Sequence, residues 1–395
     1  MKKMYKYSWI WIALVFLVQA CSKDTDSPSG PPIIIPPDTT TTPVNPGFTI
    51  QKIDDDVNVF MAKYNIPGLS LAISRHGKLV YAKGYGLADR ESNEKVTTES
   101  LFRIASLSKW ITSTAIMKLI QEGKLKIDDK IFGDDGILGT DFGTQPYKPY
   151  VTDITIRHCL QHTAGGWGNA SSDPMFLQPQ LNGDDLLSWI LNNRELETAP
   201  GTNLAYSNVG FFILSQVIQK VTGKSYETYV KEEILSPAGI SAMQIGATTL
   251  SGRKEKEVKY YGTNPYGYSD GVITRISGAG GWIASATDLL RFLVRVDGFQ
   301  TVPDILNSET LSIMSSKSSA SGNYACGFLV SASGNWYHGG TYNGTRTWMV
   351  RTTTGYNWVI LINMGAVGNM NSDLDKLIWP AVNDSSTPWP STDLF

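Results

Sequence analysis

Ser106 and Lys109, within Leu101-Phe102-Arg103-Ile104-Ala105-Ser106-Leu107-Ser108-Lys109, are a pair whose types and spacing could make and break bonds. A serine hydroxyl is a weak nucleophile until a neighbour takes its proton, and a desolvated, neutral lysine can do that. At i, i+3 on a helix the two side chains lie on one face and can approach each other. The spacing is cheap on its own and occurs on ordinary surface helices, so its meaning depends on what the chain brings to it. Two other stretches read as polar motifs beside apolar elements: Tyr206-Ser207-Asn208 on a loop between helices, and His338-Gly339-Gly340 after the apolar Trp336-Tyr337. Two decoys drop out. Gly267-Tyr268-Ser269-Asp270-Gly271 matches G-x-S-x-G, but that elbow needs a buried strand before the serine and a helix after it. Asn264-Pro265-Tyr266 and Val272-Ile273-Thr274 supply neither. His158 and His162 stand at i, i+4 around Cys159, which is metal-ligand spacing. The glutamate of a zinc-protease helix is missing and no third ligand is evident, so both read as structural and no metal is expected.

The elements that must position the serine and lysine follow from apolar spacing. Residues 106–123 read as a long helix with Ile111, Ala115, Ile116 and Leu119 inward, closed by Gly123. It is apolar nearly all round, which predicts a central helix and a desolvated Lys109. Ahead of it, a helix over 53–64 stops before Pro67, and strands over 68–74 and 79–85 form a hairpin through His76-Gly77-Lys78. Behind it come a short helix near 154–164, capped by Asp153 or Thr155 and ended by Gly165-Gly166, and helices over 184–193, 209–222 and 226–235. Residues 251–275 are Tyr/Gly-rich and read as a surface excursion over the cleft. A helix over 286–294 follows, capped by Ser285 or Thr287, then strands over 324–331, 335–338, 345–352 and 358–363, and a helix near 374–382. Strands, then mostly helices, then strands predict an α+β fold whose antiparallel sheet pairs the first strands with the last around a helical insertion.

With 395 residues, 42% hydrophobic, 18% charged and a formal net charge of -2, the chain has ordinary globular composition and no basic surplus for a nucleic-acid partner. Lys2, Lys3 and Lys6 followed by the apolar run 9–18 read as a signal peptide over 1–20, too short to span a bilayer comfortably. Val18-Gln19-Ala20-Cys21 resembles a bacterial lipoprotein processing site, so Cys21 is the expected lipidation point and membrane anchor, in the bacterial cell envelope. Residues 21–48, rich in Pro, Thr, Asp and Ser, read as an extended tether, 49–385 as the folded domain and 386–395 as a C-terminal tail. Cys159 and Cys326 each sit in an apolar pattern and read as buried free thiols.

Taken in order, Ser106-x-x-Lys109, Tyr206-Ser207-Asn208 and His338-Gly339-Gly340 resemble the three motifs of the serine β-lactamase / D-alanyl-D-alanine carboxypeptidase / esterase superfamily. The Tyr-x-Asn form of the second motif is most similar to its class C lactamase-like branch. The resemblance covers about 50–383, with support from Ile66-Pro67-Gly68, Pro200-Gly201 and Ala279-Gly280-Gly281. It implies a β-lactamase/transpeptidase-like fold and a cofactor-free serine hydrolase acting on a small-molecule or short-peptide substrate. By the same resemblance Ser106 becomes acylated, and Lys109 and Tyr206 share its proton, with Tyr206 as general acid/base toward the leaving group. Asn208 bonds Lys109 or a substrate carbonyl. The backbone N–H groups of Ser106 and Thr341 form the oxyanion hole, and Gly339 and Gly340 let substrate approach the strand edge.

His338 stands where lactamases and carboxypeptidases of this superfamily carry a lysine, and histidine is largely neutral near pH 7. The motif looks more like the esterase and D-aminopeptidase branches, with His338 grouped among the catalytic residues. Arg346 on the following strand is a candidate to replace the missing charge. The expected reaction is hydrolysis of a carboxylic ester or a D-amino-acid peptide or amide. Cell-wall D-alanyl-D-alanine carboxypeptidase or β-lactamase action is the same-fold alternative, and a catalytically silent binding module the other.

Overall fold

The computed structural model describes residues 49–262 and 272–395. The signal segment, Cys21, the tether and Ser269 lie outside the described residues. β1 (Gly68–Arg75) and β2 (Lys78–Asp89) form the expected hairpin, turning at His76 and Gly77, both with positive φ. β3 (Glu94–Lys95) adds to β2, and β4 (Phe102–Arg103), β5 (Gln244–Ile245) and β6 (Trp282–Ala284) make a separate three-stranded sheet in the order β4-β6-β5. The C-terminal strands are β7 (Leu329–Val330), β8 (Trp336–Tyr342), β9 (Thr345–Arg351) and β10 (Tyr356–Ile362). β1 pairs antiparallel with β10, which closes a seven-stranded sheet in the order β3-β2-β1-β10-β9-β8-β7. The sheet that joins first strands to last is the one expected from the sequence.

Period-two alternation divides this sheet cleanly. Leu69, Leu71 and Ile73 of β1 and Trp358, Ile360 and Ile362 of β10 pack with Ile53, Val57 and Phe60 of α1 (Gln51–Tyr64) and with Met370 and Leu374 near the C-terminus. Val359, Leu361 and Met349 face the opposite way, into the large core built by the helical part. At the centre of that core runs α2 (Ser108–Gln121), in which Ser108 to Met117 are all buried. Trp110 stacks on Phe328 at 4.2 Å between ring centres. Burying apolar area at about 25 cal/mol per Å² is what holds so nearly all-round apolar a helix in the interior.

Several elements differ from the sequence expectation. The helix expected from Ser106 begins instead as a 3-10 turn, Ala105–Leu107, and becomes α-helical at Ser108. The short helix Ile156–Leu160 is capped by Thr155 and ends before Gly165-Gly166. Residues 324–331 are mostly not a strand: Gly327, at φ +87°, turns the chain so tightly against α2 that a Cβ there would lie 2.2 Å from Ser113 Oγ. The helix Ser308–Ser315 was not foreseen, and 374–382 is split between Met370–Lys376 and Trp379–Val382. Residues 386–395, read as a C-terminal tail, pack back on the domain. Trp389 meets Tyr356 at 5.4 Å, Phe395 lies against Arg291, and Leu394 N–H donates to the Leu79 carbonyl at 3.0 Å. No helix among the described residues is long and apolar enough to cross a membrane.

Candidate active site

Ser106 follows a residue in an unusual backbone conformation. Ala105 before it holds φ +47°, a conformation that L residues other than glycine and asparagine rarely adopt. From Leu101 to Met117 Ser106 is the one residue with partial exposure. The 3-10 turn makes i and i+3 nearly eclipsed, and Lys109 Nζ lies 3.2 Å from Ser106 Oγ. The same Nζ donates to Asn208 Oδ1 at 2.7 Å and to the Ala279 carbonyl at 2.8 Å. Lys109 is wholly buried, and burial pulls its pKa down to about 7, partly opposed by the charge of Asp173.

Tyr206 and Asn208 are brought to this amine by the start of the Asn208–Thr222 helix, whose N-cap is Ser207. The Tyr206 ring centre lies 4.9 Å from Lys109 Nζ. Its ring keeps some exposure while its hydroxyl is enclosed. Burial raises the phenol well above its ordinary pKa, and a hydrogen bond with Ser106 pulls it back in part. Tyr206 therefore carries its proton across the neutral range.

His338 is buried, and both of its nitrogens are engaged. Nδ1 lies 2.7 Å from the Gly339 carbonyl, which can only accept, so Nδ1 bears the hydrogen. Nε2 must then accept from the Tyr324 hydroxyl at 3.0 Å. Burial first, then the charge of Lys109, hold the imidazole neutral with its pKa down at about 3. It offers neither a free lone pair nor a charge to a substrate, so the geometry corrects its expected place among the catalytic residues to a positioning one.

Arg346 is a second correction. It shares a face with Trp348 and Val350, which pack on the α1 side of the sheet, whereas Thr345 and Thr347 face Arg103 and Ile104 beside the serine. Alternation thus turns Arg346 away from Ser106. Its Nη1 donates to Thr341 Oγ1 and, at 3.3 Å, to the Gly340 carbonyl, and burial lowers its pKa to about 10. The two glycines serve close packing within the protein rather than access for substrate. A Cβ at Gly340 would lie 2.5 Å from the Ile104 carbonyl and 2.2 Å from Thr347 Oγ1, and one at Gly339 2.6 Å from the Trp348 ring. Gly340 is what lets β8 lie directly against the nucleophile turn.

Two participants, Asp173 and Tyr324, had no signal in the sequence motifs, and a third, His162, was read there only as structural. Asp173 accepts from Asn208 Nδ2 at 2.6 Å. Tyr324 reaches the site because of the Gly327 turn. His162 packs its ring 4.2 Å from Tyr206 and 4.5 Å from Tyr324, and its Nδ1 accepts the Ser207 N–H at 3.1 Å. His158 is instead part of a capping box, its Nδ1 accepting the Thr155 N–H. The i, i+4 histidine pair therefore divides into two structural roles, and among the described residues no cluster could hold a metal. Cys159 and Cys326 are both buried free thiols.

A serine beside a buried amine, walled by a tyrosine and the edge of an antiparallel sheet, is an arrangement consistent with the β-lactamase-fold family of serine hydrolases. The chain belongs to the Beta-lactamase family, whose model matches residues 53–379. It is 31% identical over 187 residues to Protein flp of Staphylococcus aureus (strain MW2), a match covering 47% of this chain and 36% of that protein. It is similar in fold to the octameric penicillin-binding protein homologue from Pyrococcus abyssi, with a TM-score of 0.69 and 21% identity over 84% of this chain and 77% of that one. It is likewise similar in fold to the D-amino acid amidase of Ochrobactrum anthropi SV3 complexed with D-phenylalanine, with a TM-score of 0.68 and 20% identity over 84% of this chain and 99% of that one. The alignment with Protein flp spans well under half of that relative's length.

Proposed function

We propose that this protein hydrolyses a carboxylic ester, or a peptide or amide of a D-amino acid, through an acyl-enzyme on Ser106. One observation carries the reading: a buried amine whose pKa falls to about 7 faces the Ser106 hydroxyl at 3.2 Å. Neutral Lys109 takes the Ser106 proton as Oγ attacks the substrate carbonyl, forming the tetrahedral intermediate. Two backbone donors fit the oxyanion. One is the Ser106 N–H. The other is the Thr341 N–H: counted from the two-residue turn after Tyr342, Thr341 falls at a non-hydrogen-bonded pair with Arg346, so its N–H points to the free edge of β8. β7 pairs only with Trp336 and Tyr337, which leaves that edge open. Tyr206, which holds its proton, hands it to the departing alkoxide or amine and is reprotonated from Lys109. Water then attacks the acyl-enzyme by the reverse relay, and Ser106 recovers its proton.

The substrate reading rests on charge. A lysine at position 338 would offer a cation to a substrate carboxylate; here a neutral histidine stands there, and Arg346 faces the other side of the sheet. That favours acyl groups bound without a carboxylate clamp, and a D-amino acid amidase is among the structures of similar fold. Cys21 is proposed to anchor the domain to the bacterial cell envelope.

The test is labelling with a fluorophosphonate, followed by turnover of short p-nitrophenyl esters, D-amino-acid amides and a labelled penicillin. The expected result is labelling lost in Ser106→Ala, with ester or amide turnover well ahead of penicillin. Rapid penicillin turnover would move the assignment to the lactamase alternative, and an unlabelled wild-type protein would leave a binding module.

A further inference from the structure

One carboxylate beside the site takes no part in the steps above. Asp173 caps the 3-10 turn Pro174–Phe176, its Oδ1 accepting the Met175 N–H at 3.0 Å. Its Oδ2 accepts from Asn208 Nδ2 at 2.6 Å, and the other end of that amide, Oδ1, accepts from Lys109 Nζ at 2.7 Å. The two ends of an asparagine amide are nearly the same size, so partners alone decide which way it points. Burial pushes the Asp173 pKa up, opposed by the Met175 and Asn208 hydrogen bonds and by the charge of Lys109, and in its ionised form the carboxylate only accepts. Nδ2 must therefore face Asp173, and Oδ1 must face Lys109.

This direction matters because of how few hydrogens a neutral amine has. Neutral Lys109 carries two N–H groups and one lone pair. The Ala279 carbonyl, at 2.8 Å, can only accept, and so can Asn208 Oδ1 in this orientation. Both N–H groups are thereby used. The lone pair is left for the third neighbour, Ser106 Oγ at 3.2 Å, which alone has a proton to give. Reversed, the amide would aim its own N–H at the amine and compete for that lone pair.

We infer that Asp173 is a positioning residue, whose carboxylate holds the Asn208 amide in the one direction that aims the Lys109 lone pair at the Ser106 hydroxyl. The Asn208 backbone N–H is fixed separately by Asn169 Oδ1 at 3.0 Å, so Asp173 acts on the side chain alone. The carboxylate also favours the charged amine, against the burial that disfavours it. The other groups around Lys109 are the rings of Tyr206 and Phe211 and the imidazoles of His162 and His338, both held neutral. Asp173 is thus the anion that sets the amine's charge from across the amide.

The inference rests on the Ser106–Lys109 reading, and the experiment separates the two. The pH dependence of fluorophosphonate labelling and of ester turnover is measured on the full chain as wild type, Ser106→Ala, Asp173→Ala, Asp173→Asn and Asp173→Glu. Labelling of the wild type that is absent or survives Ser106→Ala removes the underlying reading before any Asp173 variant is compared. With that reading intact, Asp173→Ala should lose about tenfold or more in the plateau rate, less than the roughly 10²–10⁴-fold that a general base itself supplies. Its acid limb should move down by about one pH unit, the scale of a lost charge near a buried amine. Asp173→Glu should return the limb toward the wild-type position. A plateau that falls with the limb unmoved would mean that Asp173 only caps its turn, and an unchanged profile would remove the role altogether. Should Asp173→Ala fail to fold in a thermal melt, Asp173→Asn decides, since it keeps an acceptor for the Met175 N–H without the charge: a lowered limb supports the role and an unmoved one overturns it.

Discussion

The domain contains two clusters made of nearly the same residues, one lysine, one aspartate and two tyrosines, and they serve opposite ends. In the first, Asp54 on α1 accepts from Tyr81 and, at 2.7 Å, from Tyr85, while Lys83 pairs with it directly at 2.9 Å. Every charge has its counter-charge, and the cluster fastens α1 to β2. In the second, Lys109 and Asp173 stand on either side of the Asn208 amide, and Tyr206 and Tyr324 bond to Ser106 and His338 rather than to the carboxylate. Lys83 keeps part of its side chain exposed and meets its carboxylate directly, whereas Lys109 is wholly buried and its pKa is drawn down to about 7 by that burial, opposed only in part by Asp173 across the amide. What separates glue from chemistry here is full burial of the amine, with its carboxylate held one amide away.

The sharpest way to break the comparison is to remove each lysine. Lys109→Met should lower ester or amide turnover by at least about 10²-fold, the usual scale for losing a general base, with no loss of folding. Lys83→Met should leave turnover within about twofold and instead lower the unfolding free energy by about 1–3 kcal/mol, because Asp54 stays buried without its cation. Steady-state kinetics and urea unfolding on the same preparations read both effects. Similar catalytic losses in the two variants would erase the distinction.

The same pair differs in pH response. With Lys109 at about 7, turnover should rise about tenfold per pH unit below 7 and level off above it. Stability follows with a definite sign. An unfolded lysine titrates near 10.4, so between about 7 and 10.4 the unfolded chain holds a proton that the folded one lacks, and stability climbs with pH. Below about 7 both states are charged and the burial penalty is felt in full. The stability of Lys109→Met relative to the wild type should therefore be most favourable below pH 7 and decline toward pH 10, as thermal melts across that range would show. A constant difference would mean that Lys109 is not depressed.

A smaller effect probes the wall against which the amine's serine is held. Gly340→Ala puts a Cβ 2.5 Å from the Ile104 carbonyl, so β8 must draw back from the nucleophile turn. Overpacking of this kind costs about 1–3 kcal/mol. Turnover should fall about tenfold because the Thr341 N–H retreats with the strand. A normal rate in a destabilised protein would remove Thr341 from the oxyanion hole.

Much of this was legible from the chain because it is written in local periodicity. The period-two strands, the all-round apolar run after Ser106 and the Thr155 and Ser285 helix caps each report on near neighbours. The Ser106 and Lys109 pairing was legible too, since three residues suffice to set it. Arg346 was misread because the motif order gives position along a strand but not which face is which; only the Thr345 and Thr347 contacts with the nucleophile strand decide that. Asp173 and Tyr324 were invisible for another reason. They lie 35 residues before Asn208 and 14 before His338, on a capped turn and a glycine turn that leave no periodic trace. The C-terminal residues misled by being polar between their anchors, Trp389, Leu394 and Phe395.

The smallest effect is expected at Tyr324, and it decides what His338 is for. Tyr324→Phe removes the one hydroxyl that donates to His338 Nε2 and leaves a buried acceptor unmet, which costs about 1–3 kcal/mol of stability. The Nδ1 hydrogen keeps its bond to the Gly339 carbonyl, so the ring stays neutral and in place. Turnover should then fall by less than about tenfold, and the imidazole nitrogen shifts of His338 in a 15N NMR spectrum should still report the Nδ1–H form. If His338 were instead a proton carrier, freeing Nε2 would change both readings. The rate would drop toward that of Lys109→Met, and the nitrogen shifts would titrate with the activity. Only the first outcome keeps His338 as the residue that steadies the β8 wall while the amine across from it does the proton transfer.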